Sequence, residues 1–177
     1  TQLFNRRAFV QRLQRLLHPQ GALDAPGPSD PPAGVLLYLD LDHFSQVNET
    51  AGQSVGDELL RRVARLLEME LHHLGWLAHL GGDEFAVMLP DFSAARGLDM
   101  AEQLRAVLES WEPGYPAKGT FQLTASIGVC VLDGGSGGGA PLPEAQALLR
   151  MADLACYDAK RAGRNRVVVR HWQEVLP

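Results

Sequence analysis

The chain has 177 residues, 46% of them hydrophobic and 21% charged, with a formal net charge of −5. This fits one globular domain of ordinary size and argues against a general nucleic-acid binder, which carries a basic face. No apolar run approaches the roughly 18 residues a membrane span needs, and the N-terminal TQLFNRRAFVQR lacks the apolar core of a secretory signal.

In chain order, Asn5 is placed to cap a helix through RRAFVQRLQRLLH, with Phe9, Leu13, Leu16 and Leu17 on one face. Residues 19–33 hold five prolines and two glycines and read as a surface loop. GVLLYLDLD (34–42) is an apolar run ending in acids, the pattern of a buried strand. HFSQVNETAG reads as irregular or a single helical turn. SVGDELLRRVARLLEMELHH is an amphipathic helix, with Leu59, Leu60, Val63, Leu66 and Leu67 at helical spacing. WLAHL (76–80) and EFAVML (84–89) form a hairpin across a glycine-rich turn. A helix over 93–111, the turn EPGYPAKG and a strand over 120–132 follow. The glycine-rich loop DGGSGGGAPLP leads to a last helix ended by Gly163, and NRVVVR is a short final strand.

The expected fold is an α/β (α+β) sandwich: a mainly antiparallel sheet of about five strands flanked by helices. Cys130, in an apolar strand, and Cys156, in the last helix, read as reduced, packed thiols of a cytoplasmic protein. Residues 1–171 are expected to form the domain, with 172–177 starting a linker in an excised fragment.

Several polar groups have no obvious structural purpose. Asp40 and Asp42 fall on one face at the end of a buried strand, where carboxylates are costly unless paired or metal-bound. The hairpin turn adds Asp83 and Glu84 beside Gly81 and Gly82. Converging carboxylates supply the hard oxygen ligands that Mg²⁺ takes, with room for phosphates that share the metal. Mn²⁺ accepts the same donors. Lys160 and Arg164, four apart at the end of the last helix, can both reach a phosphate oxygen. Asn48 and Asp57 frame a loop around Gly52 and Gly56, an amide and a carboxylate able to read a guanine edge. Taken singly, each feature is equally well a turn residue, a helix terminus or a solvated face.

Together they carry a resemblance. TQLFNRR (1–7), DLDHFSQVNETAGQSVGDELL (40–60), GGDEF (81–85), SIG (126–128) and ADLACYDAKRAGRNR (152–166) come in the order and spacing of the GGDEF family of diguanylate cyclases. That family joins two GTP molecules into cyclic di-GMP on a palm-like nucleotidyl-cyclase fold. The resemblance implies Asp40, the Leu41 carbonyl, Asp83 and Glu84 at the metals, with Asp83 and Glu84 catalytic. It implies Asn48 and Asp57 as guanine readers, and Phe44, Ser45, Gly81, Gly82, Lys160 and Arg164 around the phosphates and ribose. A second copy of the domain must supply the other GTP, and attached sensory or output domains are expected. Contact with nucleic acid or membrane is not.

The sequence departs from the family pattern at named positions. Ser45 stands where lysine is usual, removing a phosphate contact of about 1.5–3 kcal/mol. Glu49, Gln53 and His79 replace aspartate, histidine and arginine. His72-His73-Leu74-Gly75 occupies the place of the RxxD product-inhibition motif, so inhibition through that surface is not expected. Ser45 and His79 favour an alternative reading, a weak or inactive GTP-binding domain that regulates an attached phosphodiesterase. A different palm-type cyclase or polymerase is disfavoured by the GGDEF turn and the paired guanine readers.

Overall fold

The computed structural model describes residues 3–18, 33–112, 122–132 and 143–172. The expected loops at 19–33 and 133–143, the turn at 112–119, the start of the 120–132 strand and most of the expected linker lie largely or wholly outside them.

The elements are β1 (Phe4–Asn5), α1 (Arg6–Leu17), β2 (Gly34–Leu41), α2 (Phe44–Ala51), α3 (Gln53–Leu71), β3 (Trp76–Gly81), β4 (Glu84–Pro90), α4 (Ala94–Ser110), β5 (Ala125–Leu132), α5 (Ala145–Arg161) and β6 (Arg166–His171). The strands form one sheet in the order β1-β3-β4-β2-β5-β6. Its centre is antiparallel, with β2 between β4 and β5. Both edge strands pair in parallel, β1 with β3 and β6 with β5, so the sheet is mixed and has six strands.

Period-two alternation in β2 builds two cores. Val35, Leu37, Leu39 and Leu41 enter one layer, which also holds buried residues of α2, α3 and α4. Leu36 and Tyr38 enter the other, with Phe9, Leu13 and Leu17 of α1 and Leu148, Leu149 and Ala152 of α5. All eight residues of β2 are buried, as its apolar run requires. Asp40 continues the second series and therefore points to the α1/α5 side.

Local chemistry sets the helix ends. The Asn5 side chain accepts from the Ala8 amide at 2.8 Å, and the Ser93 hydroxyl accepts from the Arg96 amide at 3.3 Å. HFSQVNETAG is a full helix, α2, not a single turn; burial of Phe44 and Val47 holds it, and Gly52 separates it from α3 at φ +90°. α5 closes with a Schellman arrangement: Gly163 N–H donates to the Lys160 carbonyl and Arg164 N–H to the Ala159 carbonyl. Gly163 takes φ +121°, the left-handed backbone this closure needs. Cys130 and Cys156 are buried and unbridged, with burial raising both thiols to about 12.

Candidate functional site at the end of the central strand

The ladder itself gathers the acids. Asp40, the penultimate residue of β2, pairs across the sheet with Glu84 on one side and Ser126 on the other. The Leu41 amide donates to the Asp83 carbonyl at 3.1 Å, strapping the hairpin turn to the end of β2. Gly81 and Gly82 shape that turn at φ +131° and +53°, and a Cβ at either would meet nothing within 4 Å. The backbone beside Asp83 and Glu84 is therefore bare and open. His79 secures the turn from below: its Nε2 lies 2.8 Å from the Gly82 carbonyl, and its ring stacks on Phe85 at 4.9 Å. The imidazole thus supports the turn in the position where the family pattern has arginine.

Asp40 is 7% exposed and paired with Lys160 Nζ at 2.5 Å. Burial nonetheless raises its carboxyl to about 6, and Asp83 and Glu84 push it the same way against the pull of Lys160. Desolvation pulls Lys160 down, but the bond to Asp40 and the negative charge of Asp40 and Asp83 together hold it above its usual value. Lys160 on Asp40 and Arg6 on Glu84 supply two cations against three carboxylates, so this end of the sheet has a deficit of positive charge.

Among the described residues no three acidic, histidine or cysteine side chains enclose a metal position. Mg²⁺ is usually held by one or two carboxylates, with its remaining ligands from substrate phosphates and water. The hard oxygen donors and the charge deficit fit such an ion.

Asp42, expected beside Asp40 as an acid of the same edge, is used structurally. It accepts from the Thr124 hydroxyl and the Ser126 hydroxyl at 2.7 Å and from the Asn165 amide at 3.0 Å. Asn165 is also tied to α4, donating to Glu109 and accepting from Arg105, each at 2.8 Å. These bonds fix the segment after α5. Arg164 lies in that segment, not on the helix: α5 ends at Arg161, and Arg164 follows the glycine closure at φ +62°. Helical spacing from Lys160 therefore does not bring the two cations to one face; the pinned turn positions Arg164, and its side chain is exposed.

On the opposite side of the sheet, α2 and α3 make a second feature. Asn48 Oδ1 is buried and has no hydrogen-bond partner. A buried acceptor of this kind calls for a donor that the described residues do not supply. Gly56 makes room for it, since a Cβ there would stand 1.9 Å from Asn48 Oδ1. Asp57, next to Gly56, is exposed, and so is Ser45. The Phe44 side chain is 6% exposed and packs in the core, so only its main chain is available to a ligand.

Arg6 and Tyr38 escaped the sequence reading. Arg6 reaches Glu84 at 3.4 Å across 78 residues of chain. Burial and the Glu84 carboxylate hold the Tyr38 hydroxyl well above the usual tyrosine range. No local pattern announces either contact; both follow from the pairing of β2 with β4 and the packing of α1 over it.

A family model described as "Diguanylate cyclase, GGDEF domain" matches residues 1–166. The chain belongs to the GGDEF-domain family. It is 32% identical to the probable diguanylate cyclase DgcE of Escherichia coli over 96% of its own length, and 36% identical to the response regulator PleD of Caulobacter vibrioides over 75%. It spans 14% and 28% of those two proteins. Among solved GGDEF domains, that of DgcB from Caulobacter crescentus in complex with c-di-GMP superimposes with a TM-score of 0.77 at 28% identity, covering 96% of this chain and 92% of that one. The active GGEEF domain of a Vibrio cholerae diguanylate cyclase gives 0.74 at 25% identity, covering 95% and 97%. The likeness extends over both layers of the sandwich, which accords with the palm-like fold of the family.

Proposed function

We propose that this domain is a diguanylate cyclase that condenses two GTP molecules into cyclic di-GMP and releases pyrophosphate, working as a pair of facing domains. The observation that carries this reading is the gathering of Asp40, Asp83 and Glu84, three carboxylates against two cations, beside a bare glycine turn. Asp40, the Leu41 carbonyl, Asp83 and Glu84 would hold Mg²⁺ or Mn²⁺ together with the substrate phosphates, and the metal would supply neutralisation of phosphate charge and a more acidic attacking hydroxyl. Asn48 and Asp57 read the guanine, and the buried Oδ1 of Asn48 gains its missing donor from the base. Lys160, Arg164, Ser45 and the Phe44 main chain meet the phosphates, while Gly81 and Gly82 let ribose and phosphate approach the turn.

In each of the two steps a 3′-oxygen forms a bond to an α-phosphorus, the bond to the β-phosphate oxygen breaks, and pyrophosphate leaves. Glu84 would ligate a metal or receive the hydroxyl proton. One domain holds one nucleotide, so the reaction needs two. Sensory or output domains elsewhere in the full protein would govern that encounter.

The direct test is GTP turnover with Mg²⁺, followed by chromatography at high protein concentration and in enforced dimers. Cyclic di-GMP from the native domain and none from Glu84→Gln is the expected result. GTP bound without product in both formats would instead favour a non-catalytic GTP-binding domain and direct attention to Ser45.

Three further outcomes follow from the geometry. Gly56→Ala places a methyl against Asn48 Oδ1 and turns the amide away from its pocket. Affinity for a non-hydrolysable GTP analogue should fall about tenfold by calorimetry, the scale of one lost hydrogen bond. Unchanged affinity would remove Asn48 from base recognition.

The second concerns pH. Between about 4 and 6 the folded chain retains a proton on Asp40 that the unfolded chain has released. Metal-free stability contributed by this group is thus greatest at low pH and falls as pH rises through that window. Bound Mg²⁺ requires the deprotonated carboxylate and reverses the trend. The Mg²⁺-induced rise in melting temperature should be present near pH 7.5 and gone near pH 5.

The third concerns product inhibition. At Gly75, where the RxxD motif carries aspartate, even a Cβ would come within 2.4 Å of the Met88 carbonyl. A titration with cyclic di-GMP should show no inhibitory binding at that surface.

A further inference from the structure

Between α1 and α5 lies a cavity of about 810 Å³, floored by Tyr38 and bordered by Glu84. It is on the α1/α5 side of the sheet, away from the α2–α3 cleft where Asn48 lies. Three guanidiniums line it: Arg6 and Arg7 from the start of α1, and Arg150 from α5. Arg6 is engaged with Glu84. Arg7 and Arg150 are exposed, and neither has an ion-pair partner among the described residues.

Two uncommitted guanidiniums facing one cavity of a net acidic chain are suited to an anion, because the planar fork matches phosphate oxygens in pairs. The remaining walls narrow the class. Gln11 and Gln146 offer amides that both donate and accept, and Asp153 accepts from hydroxyl or amino groups. Leu149 and Val10 add apolar surface. Cations, amides, one acceptor carboxylate and an apolar wall in a cavity of this volume are the lining a nucleotide needs; inorganic phosphate would leave most of them unused.

We propose that this cavity is a second nucleotide site, binding a nucleoside phosphate through Arg7 and Arg150; it adjoins the catalytic edge at Glu84 and is distinct from the guanine-reading pocket at Asn48. Its position also gives it a connection to the catalytic edge. A phosphate held by Arg7 and Arg150 competes with Glu84 for the adjacent Arg6, and Glu84 is the carboxylate whose partners at rest are Arg6 and Tyr38. That consequence for turnover rests on the cyclase reading; the binding itself does not.

The binding is tested without turnover. The 177-residue chain carrying Asn48→Ala, which weakens the substrate cleft, is titrated with ADP and with GDP by calorimetry in EDTA. At least one nucleotide should bind, and adding Arg7→Ala and Arg150→Ala should weaken it by at least about tenfold. Both arginines are exposed, so the melting temperature should not move; Arg150→Lys, which keeps the charge but loses the fork, should give an intermediate affinity. No binding of either nucleotide, binding indifferent to the two arginines, or inorganic phosphate binding with the same arginine dependence while both nucleotides fail would each overturn the proposal. None of these results bears on whether the domain makes cyclic di-GMP.

Discussion

Asp40→Asn should abolish cyclic di-GMP formation while leaving the domain folded. Turnover is expected to fall by at least about a thousandfold, since removing a metal-bearing carboxylate from a phosphoryl-transfer site costs several kcal/mol and about 1.4 kcal/mol is a factor of ten. The fold should tolerate the change because Asp40 is poorly placed as a charge. It is 7% exposed, raised to about 6 by burial, and opposed by Asp83 and Glu84. Asparagine keeps the shape and removes a desolvated charge, and Lys160, whose side chain is 34% exposed, can turn to water when the pair is lost. Two measurements decide: product by chromatography and the melting temperature with and without Mg²⁺. Lost turnover, a near-native melt and no Mg²⁺ shift are the expected set. A variant that still makes product would displace Asp40 from the centre of the site.

Gly128→Ala should be the most damaging single methyl among the glycines of the described core. A Cβ at this position would stand 2.0 Å from the Ala152 carbonyl and 2.2 Å from the Cys156 amide nitrogen. Those are backbone atoms of α5, so no side-chain rotation relieves the overlap; the helix must lift off β5. α5 contributes eight buried residues and carries Lys160 to Asp40. A loss of about 3 kcal/mol, the upper part of the range for overpacking, is expected. For a chain of this size it corresponds to a melting temperature lower by about 10 °C. The Mg²⁺ response should change with it, because Lys160 moves with the helix. A melt within a degree or two of native would mean that the helix can accommodate the methyl without leaving the sheet.

The same residues show what could be read from the chain beforehand. The apolar run of β2, the cap at Asn5 and the glycine closure of α5 are local patterns, and each appears where propensity and spacing place it. The SIG block was legible only as a resemblance; in the fold, Ser126 supports Asp42 and Gly128 admits α5. β1 could not be seen, because two residues have no periodicity and pair with β3 only once the sheet exists. α2 was understated because only Phe44 and Val47 mark its buried face. Arg164 was assigned to a helix that Gly163 had already ended, and Asp42 to an edge it supports from behind. The Arg6–Glu84 contact spans 78 residues and is a product of topology alone.

The position of β2 also bears on how the chain folds. Both of its neighbours lie later in the sequence, β4 at residues 84–90 and β5 at 125–132. The strand that carries Asp40 therefore cannot complete its pairing until residues almost a hundred positions downstream are available. Contacts of such long sequence separation demand loop closure before they return any stability, which slows the rate-limiting step. During synthesis this apolar strand must wait, unpaired, until β4 emerges roughly fifty residues later and half-paired until β5 follows, the interval in which exposed strands associate wrongly. Refolding should be slow relative to a helical bundle of the same length, and the carboxylate edge at Asp40 should be among the last parts of the molecule to acquire its final shape.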